Sequence, residues 1–166
     1  MTLNECKKNI LVMGVGNTLM QDDGVGSHVI EALGKSPDPL PHLDIIDGGT
    51  IGLALLPQIE NADAVIIVDA SEIGEKPGTV RLLHNEEIDR QLSGKRRTVH
   101  EVALVDLFSA AGIRGRMPAE RVLVAIQPAC TEWGVNLTPE VQAAVPAACA
   151  AVKRLVTEWQ STEAAA

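Results

Sequence analysis

The sequence predicts an α/β fold: a three-layer α/β/α single domain around a mostly parallel five-stranded sheet, with one short antiparallel strand. Three observations carry this. Continuous apolar runs stand at Ile10-Leu11-Val12-Met13, Ala64-Val65-Ile66-Ile67-Val68 and Val122 to Ile126, as expected of strands covered on both faces. Stretches with helical spacing of apolar residues separate the strands, so right-handed crossovers put helices on both faces of the sheet. Turn residues follow the strands, notably Gly14, Gly16, Asn17 and Asp47-Gly48-Gly49-Thr50.

Taken in order, the first run ends at a glycine turn, and Asp23 is placed to cap a helix from about Gly24 to Leu33. Val25, Val29, Ile30 and Leu33 share its inner face, and Gly34 with Ser36-Pro37-Asp38-Pro39 stops it. Pro41 to Asp47 reads as the second strand, and Ile51 to Ile59 as a short helix despite Gly52 and Pro57. Ala64 to Asp69 is the clearest buried strand. Thr79 to Leu83 reads as the short antiparallel edge. His84 to Gly94 is polar and poorly periodic, which predicts a loop with at most one helical turn. Thr98 and Glu101 have capping-box spacing at the start of the next helix, whose expected inner face is Val102, Val105 and Phe108. Arg121 to Gln127 is the last strand. Thr138-Pro139-Glu140 opens a long helix with the stripe Val141, Val145, Ala148, Val152, Leu155 or Val156, and Trp159. The 166 residues are expected to form one domain, with residues 1–8 and 161–166 frayed.

Composition narrows the function. A formal charge of −8 argues against nucleic acid or an anionic membrane as general partners. Lys95-Arg96-Arg97 is a local basic run that reads best as a solvated loop. No apolar run reaches membrane-spanning length, and the first residues lack the apolar core of a signal peptide. The three cysteines, Cys6, Cys130 and Cys149, give neither a disulfide framework nor a CxxC metal site, which fits a reducing cytoplasmic setting.

The residues able to carry chemistry stand beyond the strands. Asp23, Asp47 and Asp69 lie at strand ends or in the turns that follow, where an open parallel sheet binds ligands. His100 stands near the second position of a helix, whose positive end favours neutral imidazole, the form that binds a metal or takes a proton. If the first and third strands are neighbours, Asp23 and Asp69 approach each other and His100 completes the set. Two carboxylates and an imidazole suit a borderline divalent ion such as zinc, nickel or iron. The bland reading of the same residues is a helix cap, a turn residue and a surface histidine. His28, His42 and His84 have no carboxylate at a telling spacing, Asp22 reads as solvated or supporting, and Asp106 as surface. Gly14-Val15-Gly16-Asn17-Thr18-Leu19 lacks the third glycine of a dinucleotide fingerprint, and no phosphate loop, nucleophile elbow or H-E-x-x-H motif is present.

Taken together, the segments Gly14 to Gly26, Asp47-Gly48-Gly49-Thr50, Val68-Asp69-Ala70, His100 with its helix, and Gln127-Pro128 resemble the hydrogenase maturation endopeptidases of [NiFe] hydrogenases. The resemblance spans about Ile10 to Trp159. It implies an endopeptidase that removes a short C-terminal extension from the [NiFe] hydrogenase large-subunit precursor once nickel is in place. It implies Asp23, Asp69 and His100 as the metal-binding and catalytic set. The nickel is expected to come with the precursor, and zinc or cadmium can stand in for it in vitro. Many members carry glutamate at the first position; aspartate here shortens the ligand but keeps its charge. Gly16, Asn17, Asp47, Gly48, Gly49 and Thr50 are the expected substrate-contacting edge. The competing readings are an unrelated metal-dependent hydrolase, a non-catalytic nickel or maturation adaptor, and a nucleotide-binding domain.

Overall fold

Five strands form one sheet in the order β2-β1-β3-β5-β4. They are β1 (Ile10–Val15), β2 (Leu43–Gly49), β3 (Ala64–Ala70), β4 (Val80–His84) and β5 (Glu120–Ile126). The helices are α1 (Val25–Gly34), α2 (Leu56–Asn61), α3 (Glu86–Leu92), α4 (Val99–Ile113) and α5 (Pro139–Glu163). Short 3₁₀ turns at Gln21–Gly24 and Leu53–Leu55 lead into α1 and α2. This computed structural model describes residues 8–38, 40, 43–50, 52–94 and 99–163, and the side chains of Val99, His100, Thr162 and Glu163 lie outside the description. The expectations for Cys6, His42, Ile51, the basic run 95–97, the cap at Thr98 and the outermost terminal residues therefore fall outside it as well.

The pairs β1–β2, β1–β3 and β3–β5 are parallel, and β4 runs antiparallel to β5, so the short edge strand is where the sequence puts it. Strand alternation divides the core in two. Ile10, Val12, Ile66, Val68, Val122 and Val124 face one way and pack with α1 and α5. Leu11, Met13, Val65, Ile67 and Leu123 face the other way and pack with Ile59, Leu104, Leu107 and Phe108 of α2 and α4. Every expected position of the long stripe on α5 from Val141 to Val156 is buried, and Trp159 is partly buried against the same core.

Two expectations fail here. The segment after β4 contains a real helix, α3, because Ile88 and Leu92 sit four residues apart and both are buried in the second core. Two anchors in a charged seven-residue helix give too little periodicity to see in the sequence. The inner face of α4 is also displaced. Leu104, Leu107, Phe108 and Ala111 are buried, whereas Val102 is 43% exposed and Val105 only partly covered. That helix is apolar on nearly all sides, so its stripe cannot be picked from spacing alone. No helix among the described residues is long and apolar enough to cross a membrane.

One glycine sets how closely α1 approaches the sheet. A Cβ on Gly26 would lie 2.3 Å from the Val15 carbonyl oxygen and 2.5 Å from that of Val68. The helix thus rests directly on the ends of the two neighbouring strands that lead to Asp23 and Asp69.

Candidate active site

β1 and β3 are hydrogen-bonded neighbours with Gly14 opposite Val68, so their ends meet at one rim of the sheet. Asp69, the sixth residue of β3, is 1% exposed, and Asp23, in the turn after β1, is 6% exposed. Among the described residues, neither oxygen of the Asp69 carboxylate has a hydrogen-bond partner. Burial pushes its pKa well above the ordinary carboxylate range, and the nearby Asp23 and Glu101 carboxylates push the same way. The Ala70 backbone offsets this only in part. A buried carboxylate without donors is costly, and a cation placed against it removes that cost.

The turn holding Asp23 is built differently from the expectation. Asp23 does not cap α1: the residue before the helix is Gly24, with no side-chain cap. Instead the Asn17 backbone N–H donates to Asp23 Oδ2 at 2.9 Å, which curls the turn around the carboxylate. Gly16 makes the curl possible. Its φ is +126°, and a Cβ there would stand 1.7 Å from the Asp23 carbonyl oxygen.

Asp22 is neither solvated nor loosely placed. It is fully buried, and its carboxylate accepts from the backbone N–H groups of Ala129, Cys130 and Thr138 and from the Thr138 hydroxyl, at 2.7–3.0 Å. An isolated parallel bridge joins Met20 to Gly134, with Gln21 N–H donating to Gly134 O and Gly134 N–H to Leu19 O. The loop between β5 and α5 is thereby stapled to the turn between β1 and α1. Gln127 does the same on the other side, accepting from the Ile73 and Glu75 N–H groups and donating to Glu72 Oε2.

Beside the turn lies a recess of about 380 Å³, lined by Gly16, Asn17, Asp47, Gly48, Gly49 and Thr50 together with Thr18 and Ser27. The six residues expected at the substrate edge therefore share one depression. Gly16 N–H donates to Gly49 O at 2.8 Å, and the Ser27 hydroxyl donates to Asp47 Oδ1 at 2.9 Å, which fixes its walls. A larger depression of about 640 Å³ opens elsewhere, between β4 and α3, lined by Glu72, Leu83, Glu87, Arg90 and Gln91. It contains none of the expected residues.

His100 is the second residue of α4, as its place in the sequence implies. Its ring lies outside the described side chains, and among the described residues no group of three or more His, Cys, Asp or Glu is arranged to hold a metal ion. Glu101, the next residue, is 3% exposed and close enough to Asp69 to affect its acidity. The first turn of α4 is thus brought to the same rim as the two aspartates. Sequence reasoning missed Glu101 as part of this rim, reading it only as a helix cap, and missed the fully enclosed roles of Asp22 and Gln127. A carboxylate directly beside the expected histidine was the available signal. Asp106 is exposed, as expected of a surface position; His84 is exposed and His28 half-buried.

Comparison with known proteins agrees with this geometry. The family model described as HycI, hydrogenase maturation protease, matches residues 27–155. The hydrogenase 2 maturation protease of Escherichia coli K12 is 37% identical over 82% of this chain and 83% of its own. The hydrogenase expression/formation protein HupD of Rhizobium leguminosarum bv. viciae is 34% identical over 90% of this chain and 75% of its own. The solved structure of the hydrogenase maturating endopeptidase HybD from E. coli superposes with a TM-score of 0.85 at 35% identity, covering 90% of this chain and 93% of the other. Sequence and fold thus point the same way, and the chain belongs to the hydrogenase maturation protease family.

Proposed function

We propose that this protein removes the C-terminal extension of a [NiFe] hydrogenase large-subunit precursor after nickel insertion, and that it recognises the nickel already bound there. The observation that carries the reading is the Asp69 carboxylate: buried, without a hydrogen-bond donor among the described residues, and next to a second carboxylate, Asp23. Such a pair favours a divalent cation over solvent. Oxygen donors from Asp23 and Asp69, with the imidazole of His100, form the set that engages the metal.

In this scheme the precursor's nickel is part of the substrate. Burial disfavours the ionised form of Asp69 and a cation favours it, so recognition and ionisation are coupled. The recess between the Gly16-Asn17 turn and Asp47 to Thr50 receives the polypeptide near the scissile bond. Gly49 leaves room there for a backbone to lie close, because nothing lies within 4 Å of where its Cβ would stand. The metal, held over the rim, polarises the carbonyl or the attacking water. Because the precursor supplies the ion, a weak site in the free protein suits the task. The reaction belongs in the cytoplasm, in keeping with the free Cys130 and Cys149.

The test is to mix the protein with nickel-loaded and nickel-free precursor and weigh the products by mass spectrometry. Loss of the C-terminal extension from the loaded form alone is expected. Equal cleavage of both forms would remove nickel recognition, and an unchanged precursor mass would favour an adaptor. Asp69→Ala should fold and leave the loaded precursor uncut.

A further inference from the structure

The Asp69 and His100 positions belong to different elements, and something must fix their separation. β3 continues one residue beyond its end, because Ser71 N–H donates to Ile126 O at 3.0 Å and so holds Ser71 to β5. Asp69 and Ser71 are two apart and therefore leave the strand on the same side. Ser71 is 1% exposed, and its hydroxyl donates to Glu101 Oε1 at 3.1 Å. The Ser71 hydroxyl oxygen in turn accepts from Gln91 Nε2 at 3.1 Å, and Gln91 Nε2 also donates to the Glu72 carbonyl at 2.9 Å.

One hydroxyl thus joins the end of β3, the end of α3 and the first turn of α4. Buried polar networks of this kind cost free energy to leave incomplete, so they hold one geometry. Both buried partners fall at the rim: Glu101 immediately follows His100, and Ser71 stands two residues after Asp69.

We propose that Ser71 is a positioning residue that fastens the first turn of α4 to the end of β3, and so sets the distance between His100 and Asp69. The catalytic half of this inference rests on the proposed protease function; the structural half does not. Glu101 is the receiving side of the fastening, and Gln91 orients the hydroxyl by occupying its acceptor side. A slack first turn would misplace the imidazole by a fraction of an ångström or more, enough to slow chemistry without weakening precursor binding in the recess, which neither Ser71 nor Glu101 lines.

Two measurements test it. The first is hydrogen–deuterium exchange in the isolated protein, read at the amides of residues 103–105, which bond back to the first turn of α4. Ser71→Ala and Glu101→Ala should each raise exchange there roughly tenfold. The double variant should do less than the two effects summed, because both remove the Ser71–Glu101 bond. Glu101→Gln keeps the accepting oxygen and should exchange like the unaltered protein. The second measurement is cleavage of nickel-loaded precursor by Ser71→Ala, where kcat should fall roughly ten- to a hundredfold with KM unchanged.

Unaltered exchange in Ser71→Ala, or additive effects in the double variant, would overturn the fastening. A loss of cleavage that only follows the folded fraction, or appears in KM alone, would overturn its positioning role. If the exchange results hold but the unaltered protein never cuts loaded precursor, the proposed function falls and the fastening stands.

Discussion

Thr138 gives both its backbone N–H and its hydroxyl to the carboxylate of Asp22, 116 positions earlier, at 2.7 Å and 2.9 Å. Two more backbone donors, from Ala129 and Cys130, complete the shell. These are charge-assisted bonds in a fully buried setting, and removing the acceptor strands three backbone N–H groups at once. Asp22→Ala should therefore lower stability by about 3 kcal/mol or more. Asp22→Asn, which keeps an accepting oxygen, should cost less. The measurement is the urea midpoint at constant m value.

Gly16 and Gly115 both adopt positive φ, +126° and +66°, but only Gly16 is crowded. Gly115→Ala should cost about 1 kcal/mol through backbone strain alone and leave cleavage untouched. Gly16→Ala must in addition push the Asp23 carbonyl aside. Processing of loaded precursor should fall roughly a hundredfold, well beyond what any loss of folded protein explains. Parallel thermal melts and cleavage assays of the two variants separate the effects.

Asp69 gives the metal-free protein a pH signature. Its folded pKa is raised, so between the unfolded value of about 3.9 and the raised folded value the native state holds the extra proton. Unfolding then releases a proton, and stability falls as pH rises through that window. The contribution is fully present below the unfolded value and gone above the folded one. Asp69→Asn removes this component. Denaturation midpoints measured in chelator across the window should show a shallower decline in the variant, and identical slopes would contradict the assignment.

Gln127 occupies a similar post on the far side of the rim. Gln127→Ala deprives the Ile73 and Glu75 N–H groups of their acceptor and Glu72 of a donor. A loss of about 1–3 kcal/mol is expected, with faster hydrogen exchange at residues 73 and 75 before any change elsewhere.

Much of this architecture is legible in the residues themselves. The branched runs of β1, β3 and β5 can only be strands covered on both sides, and the α5 stripe repeats long enough to be unambiguous. The convergence of Asp23 and Asp69 follows once the first and third strands are neighbours. What stays hidden is governed by tertiary partners. The two anchors of α3 acquire meaning only against the second core. Asp23 has the composition of a helix cap, yet the Asn17 N–H claims it because Gly16 turns the chain inward. Asp22 differs from Asp23 by one position and by nothing else in the sequence. Its burial depends on a loop more than 100 residues away.

The bridge between Met20 and Gly134 also has a consequence in time. During synthesis the β1–α1 turn emerges early, with no mate for its Asp22 carboxylate until the stretch around Thr138 has left the ribosome. The turn made earlier is therefore the later to set. A nascent chain that stops short of Thr138 leaves Asp22 without two of its donors, and its cutting edge is unfinished.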